Sequence, residues 1–165
     1  MMITQDELKK FFFYDPNTGL FTRLIKTARR HKVGEVAGNY YGNGYMRLMI
    51  KGKEYMLHRL AWLYVYGEMP ADKQIDHINC IKDDNRINNL RLATGYQNSS
   101  NQKISRRNTT GHKGVVLNKR LGKYQAQCMS RGKYYYLGVF ATIAEAVVVH
   151  NDFALKNHGE FFRIQ

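Results

Sequence analysis

The chain has 165 residues, with 26 Lys and Arg against 13 Asp and Glu, a formal net charge of +13 and a pI near 9.8. Hydrophobic residues at 44% and charged residues at 24% exclude wholesale disorder. No apolar run approaches the length of a membrane span and the first residues lack a leader layout, so no membrane role and a cytoplasmic location are expected. So basic a surface implies a polyanionic partner, because Lys and Arg gain free energy by displacing the counterions condensed on nucleic-acid phosphates.

Taken in chain order, Thr4 with Glu7 three residues later forms a capping box that starts a short helix ending by Phe13. The turn signal Asp15-Pro16-Asn17-Thr18-Gly19 between aromatic flanks predicts a β-hairpin. The run KTARRHK, with Arg29 and Arg30, reads as a basic loop placed against DNA. From Gly38 to Met56, Asn43-Gly44 and Lys51-Gly52-Lys53 are turns between alternating strands. LHRLAWLYVY, Leu57 to Tyr66, has apolar residues on more than one face and suits a buried helix ended by Gly67 and Pro70. IDHINCIKDDNRINNLRLATGYQN then reads as a short strand, a polar Asp/Asn-rich loop, a returning strand LRLA and a polar helix capped near Thr94.

Residues 105–111 read as a basic linker, which divides the chain into 1–104 and 112–165. Beyond it, three strands are predicted, roughly Lys113 to Leu117, Lys123 to Met129 and Tyr134 to Phe140. A helix follows from about Thr142, with Glu145 completing a capping box, to Lys156. Alternation puts Tyr124, Ala126 and Cys128 on one face of the middle strand and Lys123, Gln125, Gln127 and Met129 on the other. The fold class is therefore α+β: N-terminal β-hairpins, a ββα unit, and a small three-stranded antiparallel sheet packed on one helix. Cys80 and Cys128 lie far apart in no Cys-x-x-Cys pair, which suggests neither a zinc knuckle nor a disulfide.

Phosphodiester hydrolysis needs a base to generate hydroxide, a divalent cation to neutralise charge on the phosphate and leaving oxygen, and a means of holding the base. Asp76, His77, Asn89 and Asn98 offer these in one segment. Asp76 and His77 are neighbours on a strand, so their side chains point to opposite sides unless the strand ends there. At these residues the sequence resembles the HNH endonucleases, in particular the phage and intron-encoded homing endonucleases, with the motif at about 57–101 and an upstream HRLAW helix and Gly-x-x-Pro turn. The resemblance implies His77 as general base, Asn89 as the central asparagine that fixes the loop and orients the histidine, and Asp76 and Asn98 as ligands of one Mg²⁺ or Mn²⁺ per active site. Asn98 stands where many relatives carry a histidine, which favours the harder cation. His58 reads as a hydrogen-bonded histidine at a helix start, ahead of the alternative of a catalytic role, and Asn85 and Arg86 as either loop braces or phosphate contacts.

The C-terminal HKGVV, GKYQAQ and YLGVF segments resemble the plant ethylene-response-factor (APETALA-type) DNA-binding domain. That resemblance implies a sheet face in the major groove, with Lys113, Lys123, Gln125, Gln127, Tyr134 and Tyr136 reading DNA and Arg131 and Lys133 on phosphates. Together these readings give a metal-dependent endonuclease of double-stranded DNA, a phage homing enzyme or nickase in the cytoplasm of an infected bacterial cell. It would act as a monomer or a homodimer. The alternative is a sequence-specific DNA-binding protein with a degenerate, non-cleaving core; an RNA-binding protein is a weaker third.

Overall fold

The structure, a computed structural model, describes residues 3–68 and 71–163. The chain divides into two compact units, residues 1–94 and 95–165. Pro70, assigned from sequence to the end of a helix, lies outside the described residues.

The first unit opens with α1 (Gln5–Phe11), whose Thr4/Glu7 capping box is formed on both sides. The chain then turns through β1 (Phe12–Asp15) and β2 (Leu20–Arg23), to which β3 (Val36–Ala37) adds an antiparallel edge. A second sheet is the meander β4 (Asn39–Tyr41), β5 (Tyr45–Ile50) and β6 (Lys53–Met56), turned at the two Gly-containing sites expected from sequence. Helix α2 (Leu57–Tyr66) follows without a break. It buries Leu57, Leu60, Ala61 and Leu63, and stops at Gly67, which takes the left-handed conformation that a residue without Cβ adopts at little cost. These side chains join Leu8, Phe12, Tyr14, Phe21, Leu48 and Ile50 in one core. Ile75 and Leu90 extend that core into the last element of the unit, the two-stranded ribbon of β7 (Gln74–His77) and β8 (Leu90–Ala93).

The second unit begins with α3 (Gly95–Asn101) and continues, after an irregular stretch, into the antiparallel sheet of β9 (Val115–Asn118), β10 (Lys123–Ser130) and β11 (Lys133–Phe140), with β10 in the middle. Helix α4 (Ile143–His158) is capped by a Thr142/Glu145 box and closed by Gly159. Val115, Ala126 and Ala146 form its fully buried centre, and Tyr124, Leu137, Phe140 and Val147 pack around them. Ala126 and Cys128 are buried while Lys123 and Met129 are exposed, the two-faced alternation read from the sequence. The architecture is α+β with small antiparallel sheets and four α-helices among the described residues. No helix among them is long and apolar enough to cross a membrane.

Candidate active site

The β7–β8 ribbon ends where chemistry becomes possible. Residues 75–77 are all buried, so strand alternation does not push either Asp76 or His77 into solvent. Asp76 pairs across the ribbon with Arg91, whose Nε donates to Asp76 Oδ2 at 3.0 Å. This ion pair is largely out of water, with the side chains 6% and 12% exposed.

His77 is the last residue of β7, and the loop that returns to Leu90 is folded against it. Ile78 N–H donates to the Asn89 carbonyl, and the Cys80 N–H to the His77 carbonyl, both at 2.9 Å. The Asn89 side chain spans the loop: its Oδ1 accepts the Asn79 N–H at 3.0 Å and its Nδ2 donates to the Asp84 carbonyl at 2.8 Å. Asn79 answers with Nδ2 to Asp84 Oδ2 at 2.6 Å. Arg86 grips the same carboxylate with Nε and Nη2, at 2.7 and 2.6 Å, and this pairing pulls the Asp84 carboxyl down to about 2. Arg86, open between bracing and phosphate contact in the sequence, thus braces the loop through Asp84 with its side chain still 53% exposed, and Asn85 braces it through the Asp83 carbonyl.

Two hairpins hold the loop from outside. Tyr14 Oη donates to the Asn85 carbonyl at 2.7 Å, and Ile87 N–H to the Pro16 carbonyl at 3.2 Å. The β1–β2 turn comes so close that a Cβ on Gly19, at φ +76°, would stand 2.5 Å from Arg86 N and 2.6 Å from Asn85 C. From the other side Tyr40 Oη donates to Asp83 Oδ2 at 2.9 Å, and Lys82 Nζ donates to the Asn43 carbonyl at 3.0 Å while lying over the Tyr45 ring.

Inside this frame, Asn85 Oδ1 lies 3.3 Å from His77 Nε2, and Asn85 Nδ2 donates to the Asp83 carbonyl. The sequence assigned the orienting of His77 to Asn89, but both ends of the Asn89 amide are engaged on loop backbone, so its influence runs through the loop and the direct partner is Asn85. Because the Asn85 amide nitrogen is committed to Asp83, its oxygen faces the imidazole. An oxygen there can only accept, which puts the ring proton on Nε2 and makes Nδ1 the basic nitrogen. Burial lowers the His77 pKa, opposed in part by the Asn85 bond and by Asp76, Asp84 and Asp83, so the ring is neutral at pH 7 and able to take a proton.

The rings of Tyr45 and His58 pack on His77, with centroids 5.9 and 5.2 Å away. His58 differs from the sequence expectation of a hydrogen-bonded helix-start histidine: its Nδ1 is buried with no partner, and burial, His77 and Arg59 together hold its pKa near 3. Neither this ring cluster nor the Arg91–Asp76 pair was found from sequence. A strand register drawn through IDH and LRLA would have placed Arg91 opposite Asp76, whereas no spacing rule brings residues 45, 58 and 77 together.

Asn98 lies on α3, in the second unit. Arg29 and Arg30 are exposed in the connection between β2 and β3. On the β9–β11 sheet, Gln127 pairs with Tyr136 and Met129 with Tyr134 across the strands. Gln125, Gln127 and Tyr134 are hydrogen-bonded to one another, and Lys123, Arg131, Lys133, Tyr134 and Tyr136 are exposed. Lys113 stands apart from this face, half-buried before β9, with its ammonium donating to the Ser100 carbonyl at 3.1 Å.

A family model described as HNH endonuclease matches residues 55–100, the span that carries His58, Asp76, His77, Asn85, Asn89 and Asn98. Protein 3.8 of Escherichia phage T7 is 32% identical over 108 residues, which is 66% of this chain and 88% of that protein. The chain belongs to the HNH endonuclease family. The HNH endonuclease L560 of Acanthamoeba polyphaga mimivirus is 34% identical over 106 residues, 64% of this chain, and the chain spans about half (54%) of that relative's length. Among solved structures, one titled DNA binding and cleavage by the HNH homing endonuclease I-HmuI aligns with a TM-score of 0.45 and 20% identity, covering 78% of this chain and 75% of that one.

The donor chemistry of this HNH unit fits a hard divalent cation. Among the described residues no three His, Cys, Asp or Glu side chains gather as a cage. The amide oxygens of Asn79, Asn85 and Asn89 are engaged within the loop, which leaves the Asp76 carboxylate and, on α3 of the second unit, the Asn98 amide as oxygen donors suited to an ion that keeps most of its waters.

Proposed function

We propose that the chain is a divalent-metal-dependent endonuclease of double-stranded DNA. The observation that carries this reading is the buried, neutral His77, held at Nε2 by Asn85 and adjacent to the buried carboxylate of Asp76. In the proposed reaction, Nδ1 of His77 takes a proton from a water molecule as that water attacks the phosphorus, the phosphorus–oxygen bond to the leaving sugar breaks, and the leaving oxygen takes a proton from solvent. Asn89 locks the loop so that Asn85, and through it the imidazole, keeps one orientation. Asp76 and Asn98 would hold one Mg²⁺, or Mn²⁺, which supplies charge neutralisation at the phosphate and the leaving oxygen. Arg91 stands next to that carboxylate as a second positive charge.

The second unit would grip the substrate. The exposed face of β9–β11, with Lys123, Gln125, Gln127, Tyr134 and Tyr136, has the width and polarity to enter a major groove in the manner of the ethylene-response-factor domains it resembles, with Arg131 and Lys133 on phosphates. Arg29 and Arg30 would add phosphate contacts from the first unit. One such centre cuts one strand, so a monomer would nick, and a double-strand break would need a homodimer or two sequential events. The phage relative supports action in an infected bacterial cell.

The test is to incubate purified protein with supercoiled plasmid and Mg²⁺ or EDTA. Conversion to nicked circles with Mg²⁺ and none with EDTA is expected; intact plasmid under all divalent cations, with DNA binding retained, would instead favour a non-cleaving DNA-binding protein.

A further inference from the structure

Helix α3 has little reason to exist alone. Its seven residues, GYQNSSN, hold one Gly, two Ser and two Asn, all weak helix formers, and a helix so short is marginal in water even with better ones. It carries no acidic residue in its first turn and no basic residue in its last. Its order must therefore come from its neighbours, and the second unit supplies them.

Tyr96 Oη lies 2.5 Å from His158 Nδ1 and donates to Ser130 Oγ at 3.0 Å, and the Tyr96 and His158 rings lie 5.2 Å apart. Ser100 Oγ, one turn along the same face, lies 2.9 Å from the same Nδ1 and donates to the Tyr96 carbonyl at 3.1 Å. The Lys113 ammonium sits on the Ser100 carbonyl, where a cation favours a helix C-terminus. One proton arrangement serves the contacts among Tyr96, Ser100, Ser130 and His158 Nδ1. A neutral His158 protonated on Nδ1 donates to Tyr96 Oη and Ser100 Oγ, Tyr96 passes its own proton to the buried Ser130, and Nε2 faces the Cys128 thiol at 3.5 Å. Burial lowers the His158 pKa and so supports the neutral ring.

We propose that the C-terminal sheet and helix act as a positioning device for α3, through a clasp in which Ser130, His158 and Lys113 fix Tyr96 and Ser100 and so set the place of Asn98. Residues 96 and 100 share a helix face, while residue 98 lies about 200° round the axis from residue 96. The clasp thus grips the side of the helix opposite Asn98. This inference rests on the metal-binding role proposed for Asn98. Under it the second unit is not only a grip on DNA: the unit that would bind DNA also carries the helix with Asn98.

The experiment uses the full chain, with Tyr96→Phe as the mild variant, since it keeps the ring and loses only the hydroxyl, and His158→Gln as the stronger one. Amide hydrogen exchange is followed by mass spectrometry, and nicking is measured against Mg²⁺ concentration. Exchange over residues 95–101 should rise at least about tenfold in Tyr96→Phe, as the hydroxyl loses its bonds to His158 and Ser130, with β10 unchanged. The Mg²⁺ midpoint should move up several-fold, with DNA affinity unchanged and the rate restored at saturating Mg²⁺, a pattern that general destabilisation would not give. Unaltered exchange over residues 95–101 in both variants would overturn the clasp. Altered exchange with an unmoved Mg²⁺ midpoint would overturn its link to Asn98. If the wild-type chain nicks under no condition, the nuclease reading fails, and the exchange comparison alone decides whether the clasp holds α3.

Discussion

Replacing Arg91 by Met tests the electrostatics of the candidate centre. The guanidinium lies 3.0 Å from Asp76, and both side chains are nearly out of water, at 12% and 6% exposure. Met retains much of the apolar stem but removes the charge, leaving a buried carboxylate without that counter-charge. Breaking such a pair from one side costs about 3–5 kcal/mol, and because Arg91 keeps some solvent we expect the low end, about 3 kcal/mol. Asp76→Asn in the same background removes the stranded charge, so the double variant should return to within about 1 kcal/mol of wild type. A divalent cation at Asp76 should compensate in the same way, adding about 2.7 kcal/mol at a hundredfold excess over its dissociation constant. The assay is urea unfolding in EDTA and in Mg²⁺, followed by the fluorescence of Trp62, the single tryptophan, which lies on α2 in the first unit. An Arg91→Met protein within about 0.5 kcal/mol of wild type, or a double variant no more stable than the single, would refute the reasoning.

Two further substitutions probe the frame around His77. Gly19→Ala should destabilise the first unit by more than the roughly 1–3 kcal/mol that left-handed backbone alone costs, and slow nicking as the loop bearing Asn85 is displaced. Gly34→Ala is its control, with φ +84° and nothing within 4 Å of the added Cβ; equal losses in the two proteins would mean that the close approach to Arg86 and Asn85 has no consequence. His58→Phe should flatten the acid limb of stability. A histidine held near 3 refuses a proton that the unfolded chain accepts from about 6.5 downward. Its stabilisation is therefore complete above about pH 6.5 and falls by about 1.36 kcal/mol per unit between there and pH 3. Urea midpoints at pH 7, 6 and 5 should fall less steeply in the variant, and an unchanged slope would remove His58 from this role.

Local chemistry made much of the fold legible. The Thr4/Glu7 and Thr142/Glu145 boxes, the DPNTG turn and the alternation of Lys123 to Met129 each act within a few residues, and each element appears where those signals put it. The 3₁₀ turn Ile87–Asn89 and the short β3 were not foreseen, because one is held by Asn89 and Pro16 contacts and the other only by pairing with β2. Within the candidate site, the strand–loop–strand around Asp76 and His77 could be read from residue types alone. What touches those side chains could not: Arg91, Asn85, Tyr45 and His58 arrive through register and packing. The weak α3 sequence does carry a hint of its clasp, since a helix of Gly, Ser and Asn must be held by something else.

The most direct measurement compares wild type with His77→Ala on one supercoiled plasmid in Mg²⁺, with DNA affinity determined in parallel. The variant should bind DNA within a few-fold of wild type and leave the plasmid uncut over times in which wild type nicks it completely. Cleavage by His77→Ala at the wild-type rate would contradict the role of His77 as general base.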